Sequence, residues 1–212
     1  LAENAFALKP KNVETQDALR KLQDNQEDWQ CVRATINAQL KQSALPQEVN
    51  KSRDGVFAVS QARELRREGK LEEAHKLAVE AYRISPALVP AALLVARGYL
   101  ERDKPKLAKK ALRAAWLLVP HPELAAWFAA IVPDESASDR LKRFTVLTNS
   151  APAHPETKML LAELNIGAGN YQAARLALGD LATTDPTMRS LTILAAIERG
   201  DWADDQSVRQ LL

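Results

Sequence analysis

Gly69-Lys-Leu71-Glu-Glu-Ala74 and Gly169-Asn-Tyr171-Gln-Ala-Ala174 are two copies of one pattern, and Gly200-Asp-Trp202 and Asp28-Trp29 are weaker ones. A glycine past the end of a helix takes the left-handed conformation that stops it, and the large apolar residue two places on starts the next helix. The stretches that follow end alike: Ala81-Tyr-Arg-Ile-Ser-Pro86, Ala115-Trp-Leu-Leu-Val-Pro120 and Leu181-Ala-Thr-Thr-Asp-Pro186, with an earlier Ala5-Phe-Ala-Leu-Lys-Pro10. Proline lacks the N–H a helix needs and disfavours helical backbone before it. Pro86 to Pro120 and Pro152 to Pro186 are 34 residues, and Pro120 to Pro152 is 32. Each unit therefore reads as helix, tight turn, helix, proline.

That period and its fixed positions resemble the tetratricopeptide repeat. One unit supplies Ala62, Leu65, Ala74, Ala78 and Pro86; the next Ala96, Tyr99, Ala108, Leu112 and Pro120; another Ala162, Asn165, Ala174, Leu178 and Pro186. Small residues belong where two helices cross closely, and larger ones fill the space between turns. Asn165 departs from the pattern. The expected fold is all-α, a tetratricopeptide-like right-handed superhelical solenoid of about five to six helix pairs.

Composition agrees with a globular chain: 212 residues, 46% hydrophobic, net charge +2, and seven glycines with eleven prolines. Disorder and collagen-like structure are excluded. The single cysteine, Cys31, excludes an internal disulfide. The longest uncharged run, Ile84 to Ala96, is interrupted by Pro86 and Pro90, well short of the roughly 20 apolar residues a membrane span requires. Leu1 to Leu8 carries Glu3 with no basic region before it, so no signal peptide is expected. The chain opens without Met inside what reads as a helix, and is taken as a piece of a longer protein.

Residues 1–45 read as degenerate helices of the same kind, with Leu19 and Leu22 on one and Val32, Ile36 and Leu40 on the next. Residues 46–56 break the period with Pro46, Asn50, Ser52 and Gly55, and read as a polar connector, part of which (Gln47 to Arg53) is compatible with an extra helical turn. The array proper spans 57–212, in units of about 57–86, 89–120, 122–152, 155–186 and 189–212, the last a complete or incomplete pair. His121-Pro-Glu123 and His154-Pro-Glu156 each open a first helix. Pro133-Asp-Glu-Ser136 is a turn, with Ser138 or Asp139 expected to cap the helix after it.

First helices of a solenoid line a concave face that holds a peptide or a partner protein. Asn is absent from the positions where a carboxylate-clamping member carries it (Ala18, Ser60, Leu94, Leu160), which argues against that mode. Residues 51–116 carry net +7 and residues 117–212 net −4. Basic side chains such as Arg67, Lys70, Lys106 and Lys109 read either as solvated helix surface or as a patch for an acidic partner or lipid headgroups. The register of Arg63, Arg66, Arg97, Glu101, Met159 and Glu163 aims them at the concave face, and these are the candidate partner-binding residues. Met159 and Trp127 also suit a core. No basic stripe interleaved with aromatics points to nucleic acid. Cys31, His75, His121 and His154 lack metal-ligand spacing, and no phosphate loop or dinucleotide fingerprint is present. No catalytic, metal or cofactor site is expected.

Residues 53–200 resemble the soluble region of bacterial HemY-type proteins, especially the alphaproteobacterial ones. The likeness is carried by Ala62-Arg-Glu-Leu-Arg-Arg-Glu-Gly69, Ala91-Ala-Leu-Leu-Val-Ala-Arg97, Ala114-Ala-Trp116 with Pro120-His-Pro-Glu-Leu-Ala125, Asp139-Arg-Leu-Lys-Arg143, His154-Pro-Glu156 and Leu160-Leu-Ala-Glu163. The resemblance implies two membrane helices upstream of a tetratricopeptide region, an inner-membrane location with this part facing the cytoplasm, and an association with haem (porphyrin) biosynthesis. It implies a non-enzymatic scaffold for haem-pathway enzymes. An envelope assembly or regulatory adaptor unrelated to haem is one alternative, and direct tetrapyrrole binding another. No residue-level motif of the family transfers, and the unrelated flavin-binding oxidase of the same name is not implied.

Overall fold

A computed structural model describes the backbone of residues 47–211 and the side chains of residues 52–202. The expectations placed on residues 1–46, including Cys31 and the first degenerate helices, lie outside the described residues. Among the described residues the chain forms ten helices and no strand: α1 Gln47–Arg67, α2 Leu71–Ile84, α3 Val89–Leu100, α4 Pro105–Leu118, α5 Pro122–Ala130, α6 Ala137–Thr148, α7 Pro155–Gly167, α8 Tyr171–Leu178, α9 Leu181–Thr184 and α10 Met188–Leu211. The chain is all-α over this range. It divides into two compact units, the first ending at Ala111 and the second beginning at Leu112.

In the first unit, α1 and α2 are an antiparallel-hairpin pair joined by the Gly69 turn. Gly69 has φ +81°. Its N–H donates to Arg66 O (3.1 Å) while Lys70 N–H donates to Leu65 O (2.8 Å), closing the last turn of α1. The α3–α4 turn repeats this bonding without a glycine: Asp103, at φ 51°, donates to Leu100 O (3.0 Å), and Lys104 donates to Tyr99 O (2.9 Å). Ala74, Ala78 and Ala81 form one buried face of α2. Two apolar clusters follow, one of Ala58, Val59, Ala81 and Ala91, the other of Ala62, Ala78, Val95 and Ala111. The alanines let neighbouring helices approach closely.

Residues 47–56 are helical, which corrects the expected polar connector: they are the first half of α1. Asp54, Gly55, Ala58, Val59 and Ala62 are all buried, at helical spacing, so one face runs unbroken through the expected boundary. Gly55 is needed there because a Cβ would lie 2.9 Å from the Ser85 Cβ in the α2–α3 turn. Tertiary packing overrides its poor helix propensity.

In the second unit, α5 and α7 are opened by the two His-Pro-Glu motifs. The His121 Nδ1 accepts from Glu123 N–H (3.2 Å), and the His154 Nδ1 from Glu156 N–H (3.1 Å), with proline in the first turn. The cap of α6 is Ser136, not Ser138 or Asp139. Its Oγ accepts from Asp139 N–H (3.1 Å) and donates to Asp139 Oδ2 (2.7 Å). The two residues expected as caps thus already belong to the helix. At the α7–α8 turn, Gly169 (φ +74°) and Asn170 repeat the α1–α2 bonding, donating to Ile166 O and Asn165 O. The second helix of that unit is broken at Gly179 (φ +58°) into α8 and α9. Ala162, Ala174, Leu178, Leu181, Ala182, Ile193 and Ile197 form its apolar core.

The last pair, expected over 189–212, is instead the single helix α10, and Gly200 is not a turn. Gly200 is buried in mid-helix, where an added Cβ would stand 2.1 Å from the Tyr171 ring. Here glycine makes room for an aromatic ring, which a sequence cannot distinguish from a stop signal.

Candidate functional site

Three helices of the second unit line one cavity of about 580 Å³, α5 with a face of small residues. Pro122, Ala125, Ala126 and Ala129 of α5 line it at spacing i, i+3, i+4, i+7. Leu160, Glu163, Leu164 and Gly167 of α7 do so at the same spacing, and Ala137, Arg140 and Phe144 of α6 at i, i+3, i+7. Those spacings mark the face a helix ordinarily buries against a neighbour. Here the faces surround an open trough with an apolar floor and charged edges.

Two ion-pair clamps fix its walls. On one side the Arg143 guanidinium donates to both carboxylate oxygens of Glu135, and to Phe128 O (2.7 Å) at the end of α5. It lies over the rings of Phe128 (4.8 Å) and Phe144 (5.1 Å), which meet edge-on at 4.9 Å. Arg140 also reaches Glu135 (Nε to Oε1, 3.2 Å) and Pro133 O (3.2 Å). The hydrogen bond from Arg143, seconded by that from Arg140, holds the Glu135 carboxyl below the ordinary carboxylate range.

On the other side Arg189, from the first turn of α10, grips α7 at two points. It donates to both oxygens of Glu163 (2.7 and 2.8 Å) and to both of Glu156 (2.7 and 2.8 Å). The bond to Glu163, and then that to Glu156, push the guanidinium pKa upwards against the cost of burial. Glu156 is buried, so Arg189 is what makes its charge tolerable.

Of the residues expected to bind a partner, Glu163 lines the trough. Met159 is half-buried against the core cluster of the same unit. The other four lie in the first unit. Arg66 pairs with Glu101 (2.5 and 2.9 Å), and Arg97 joins the same carboxylate at 3.1 Å. These bonds, Arg66's first, depress the Glu101 pKa. Arg63 is exposed and makes no ion pair among the described residues. Arg140, Arg143, Glu135, Glu156 and Arg189 were not singled out from sequence. A signal did exist: Ala125, Ala126 and Ala129 repeat the spacing of a buried helix face with no large residue to pack against it.

A second cavity of about 730 Å³ sits at the α7–α8 turn. Of its lining side chains only Asp201 is charged, and that carboxylate already pairs with Arg175 at 2.6 Å. Among the described residues no group of three or more His, Cys, Asp or Glu side chains is placed to hold a metal ion. Nor is any described helix long and apolar enough to cross a membrane. No protein-family model matches the chain, and no curated protein does.

Proposed function

We propose that this chain is a non-catalytic protein–protein interaction scaffold, built as a tetratricopeptide-like right-handed solenoid, whose trough between α5, α6 and α7 holds a peptide segment of its partner. The observation that carries it is the trough itself: three helix faces of burial spacing, whose apolar lining is alanine, leucine, proline, glycine and Phe144, left open to solvent. An apolar groove is a surface on which peptides are held, and helical arrays present such surfaces.

The repeat reading is supported at nine of its fifteen positions. Ala62, Ala74 and Ala78 are at most 1% exposed, as are Ala96, Ala108 and Leu112, and Ala162, Ala174 and Leu178. These nine positions were chosen by their offsets alone. The glycine-type turn recurs at Gly69, Asp103 and Gly169, the first two 34 residues apart. The inner-membrane, haem-pathway setting rests on the resemblance of residues 53–200 alone, and we carry it as the biological context of the scaffold.

The test is to pan the full chain against a displayed library of random short peptides, with the variant Ala126→Trp as control. Ala126 is exposed on α5, so the indole fills the trough without entering the core. Peptides enriched on the wild type are expected to bind the variant at least about ten-fold more weakly. Absence of enrichment, or equal binding to both, would overturn the assignment.

A further inference from the structure

We propose that the trough reads charge order: it takes a partner segment with an acidic side chain at the α6 wall, a basic side chain at the α7–α10 wall, and small apolar residues between. This rests on the peptide-binding role proposed above. The ion pairs at the two ends of the trough are unequal in charge. On the α6 side two cations, Arg140 and Arg143, share one carboxylate, Glu135, leaving that clamp one positive charge in excess. On the α7–α10 side two carboxylates, Glu156 and Glu163, share one cation, Arg189, leaving that clamp one negative charge in excess.

Hydrogen-bonding capacity agrees with the charge count. Four of the five Arg143 donors go to Glu135 and to carbonyls of α5, and its side chain is 13% exposed. Arg140 uses Nε and Nη2 only, so its Nη1 donors remain, and its side chain is 36% exposed at the trough. Glu163 is the corresponding group on α7. Each oxygen accepts one bond from Arg189, a carboxylate oxygen accepts two, and the side chain is 39% exposed. An acid meeting Arg140 and a base meeting Glu163 would each form a charge-assisted bond with a group already held in place by its clamp.

The same balance selects the occupant. A phosphate backbone or an anionic lipid surface needs a predominance of positive charge, which a trough with one excess charge of each sign does not offer. A polypeptide carries both signs within a few residues, and its orientation is fixed by which end is acidic.

The experiment uses the peptides enriched on the full chain. Their consensus is expected to hold an acidic and a basic residue flanking an apolar run. Arg140→Glu and Glu163→Lys are each expected to weaken a selected peptide about ten-fold, and a peptide with its acid changed to lysine should regain binding to Arg140→Glu. Arg140→Gln, which keeps a polar group at Pro133, serves if the reversal unfolds the chain, and should weaken binding without inverting preference. Peptides that are lost on Ala126→Trp but ignore Arg140 and Glu163 would sink charge order alone. No enrichment at all would sink the peptide-binding role beneath it. A self-associated chain that Ala126→Trp dissociates would make the occupant a second copy and overturn the proposal.

Discussion

Glycines in this chain do two different jobs, and the distinction is legible only from the space around each. Gly69 has open surroundings but φ +81°, so an alanine there meets no neighbour and is opposed only by backbone strain. Gly98 has ordinary helical backbone, yet an added Cβ would stand 2.1 Å from Nδ1 and 2.9 Å from Cγ of His75. Gly69→Ala is expected to cost about 1–2 kcal/mol. Gly98→Ala should cost about 1–3 kcal/mol, through displaced packing that outweighs the gain in helix propensity. Chemical denaturation of both variants decides it: a Gly98→Ala protein as stable as the wild type would show that the His75 ring has somewhere else to go. His75 also sets a pH response. Its ring meets Tyr99 edge-on at 4.9 Å, and its Nδ1 is buried without a hydrogen-bond partner. Burial, with Arg102 next, lowers its pKa, while Glu72 and Glu101 act in the opposite sense. A depressed folded-state value means the fold favours the neutral ring. That stability is present above the unfolded value of about 6.5, and is lost as pH falls through the lower folded one. The paired carboxylates Glu72, Glu101 and Glu135 are also depressed, but from 4.5, so their losses come at lower pH. Melting temperature should therefore fall between about pH 7 and pH 5 in the wild type, and fall less in His75→Phe. Parallel curves would rule out His75 as the group responsible.

At the scale of the helix, what the sequence reveals and what it hides divide along physical lines. Helix existence and the alanine positions were readable, because a 34-residue period of small residues has few other causes. The α3–α4 turn was hidden. Asp103 takes the left-handed conformation that a glycine signals elsewhere, since its short polar side chain tolerates it. Gly200 misled in the opposite direction, because room for the Tyr171 ring and a helix stop are both written as glycine. The connector failed for a related reason: Asn50, Ser52 and Gly55 are weak helix formers, and only the buried face shared by Asp54, Gly55 and Ala58 with the rest of α1 outweighs them. The trough was half visible. Glu163 was found through helix register, whereas Arg189 depends on which helices stand side by side, because ion pairs 26 or 33 residues apart in sequence leave no local mark.

For the molecule as a whole, the proposed superhelix makes a demand that two independent units would not. In a solenoid each helix pair is stabilised by its neighbours, so a local weakness is felt along the array. Gly98 belongs to the first unit, whereas Trp116, fully buried, and Trp127 belong to the second. In a background of Trp29→Phe and Trp202→Phe, tryptophan fluorescence reports on the second unit alone. Adding Gly98→Ala then perturbs the first unit and reads the second. With coupled neighbours, the fluorescence midpoint in guanidinium moves to lower denaturant together with the far-ultraviolet circular dichroism signal, because the second unit loses the support of a destabilised first. With separate units, the fluorescence transition stays where it was and the circular dichroism curve splits in two. The first outcome is the one the proposed superhelix requires. The second would end the superhelix while leaving the trough of the second unit, and the tests of its charge order, intact.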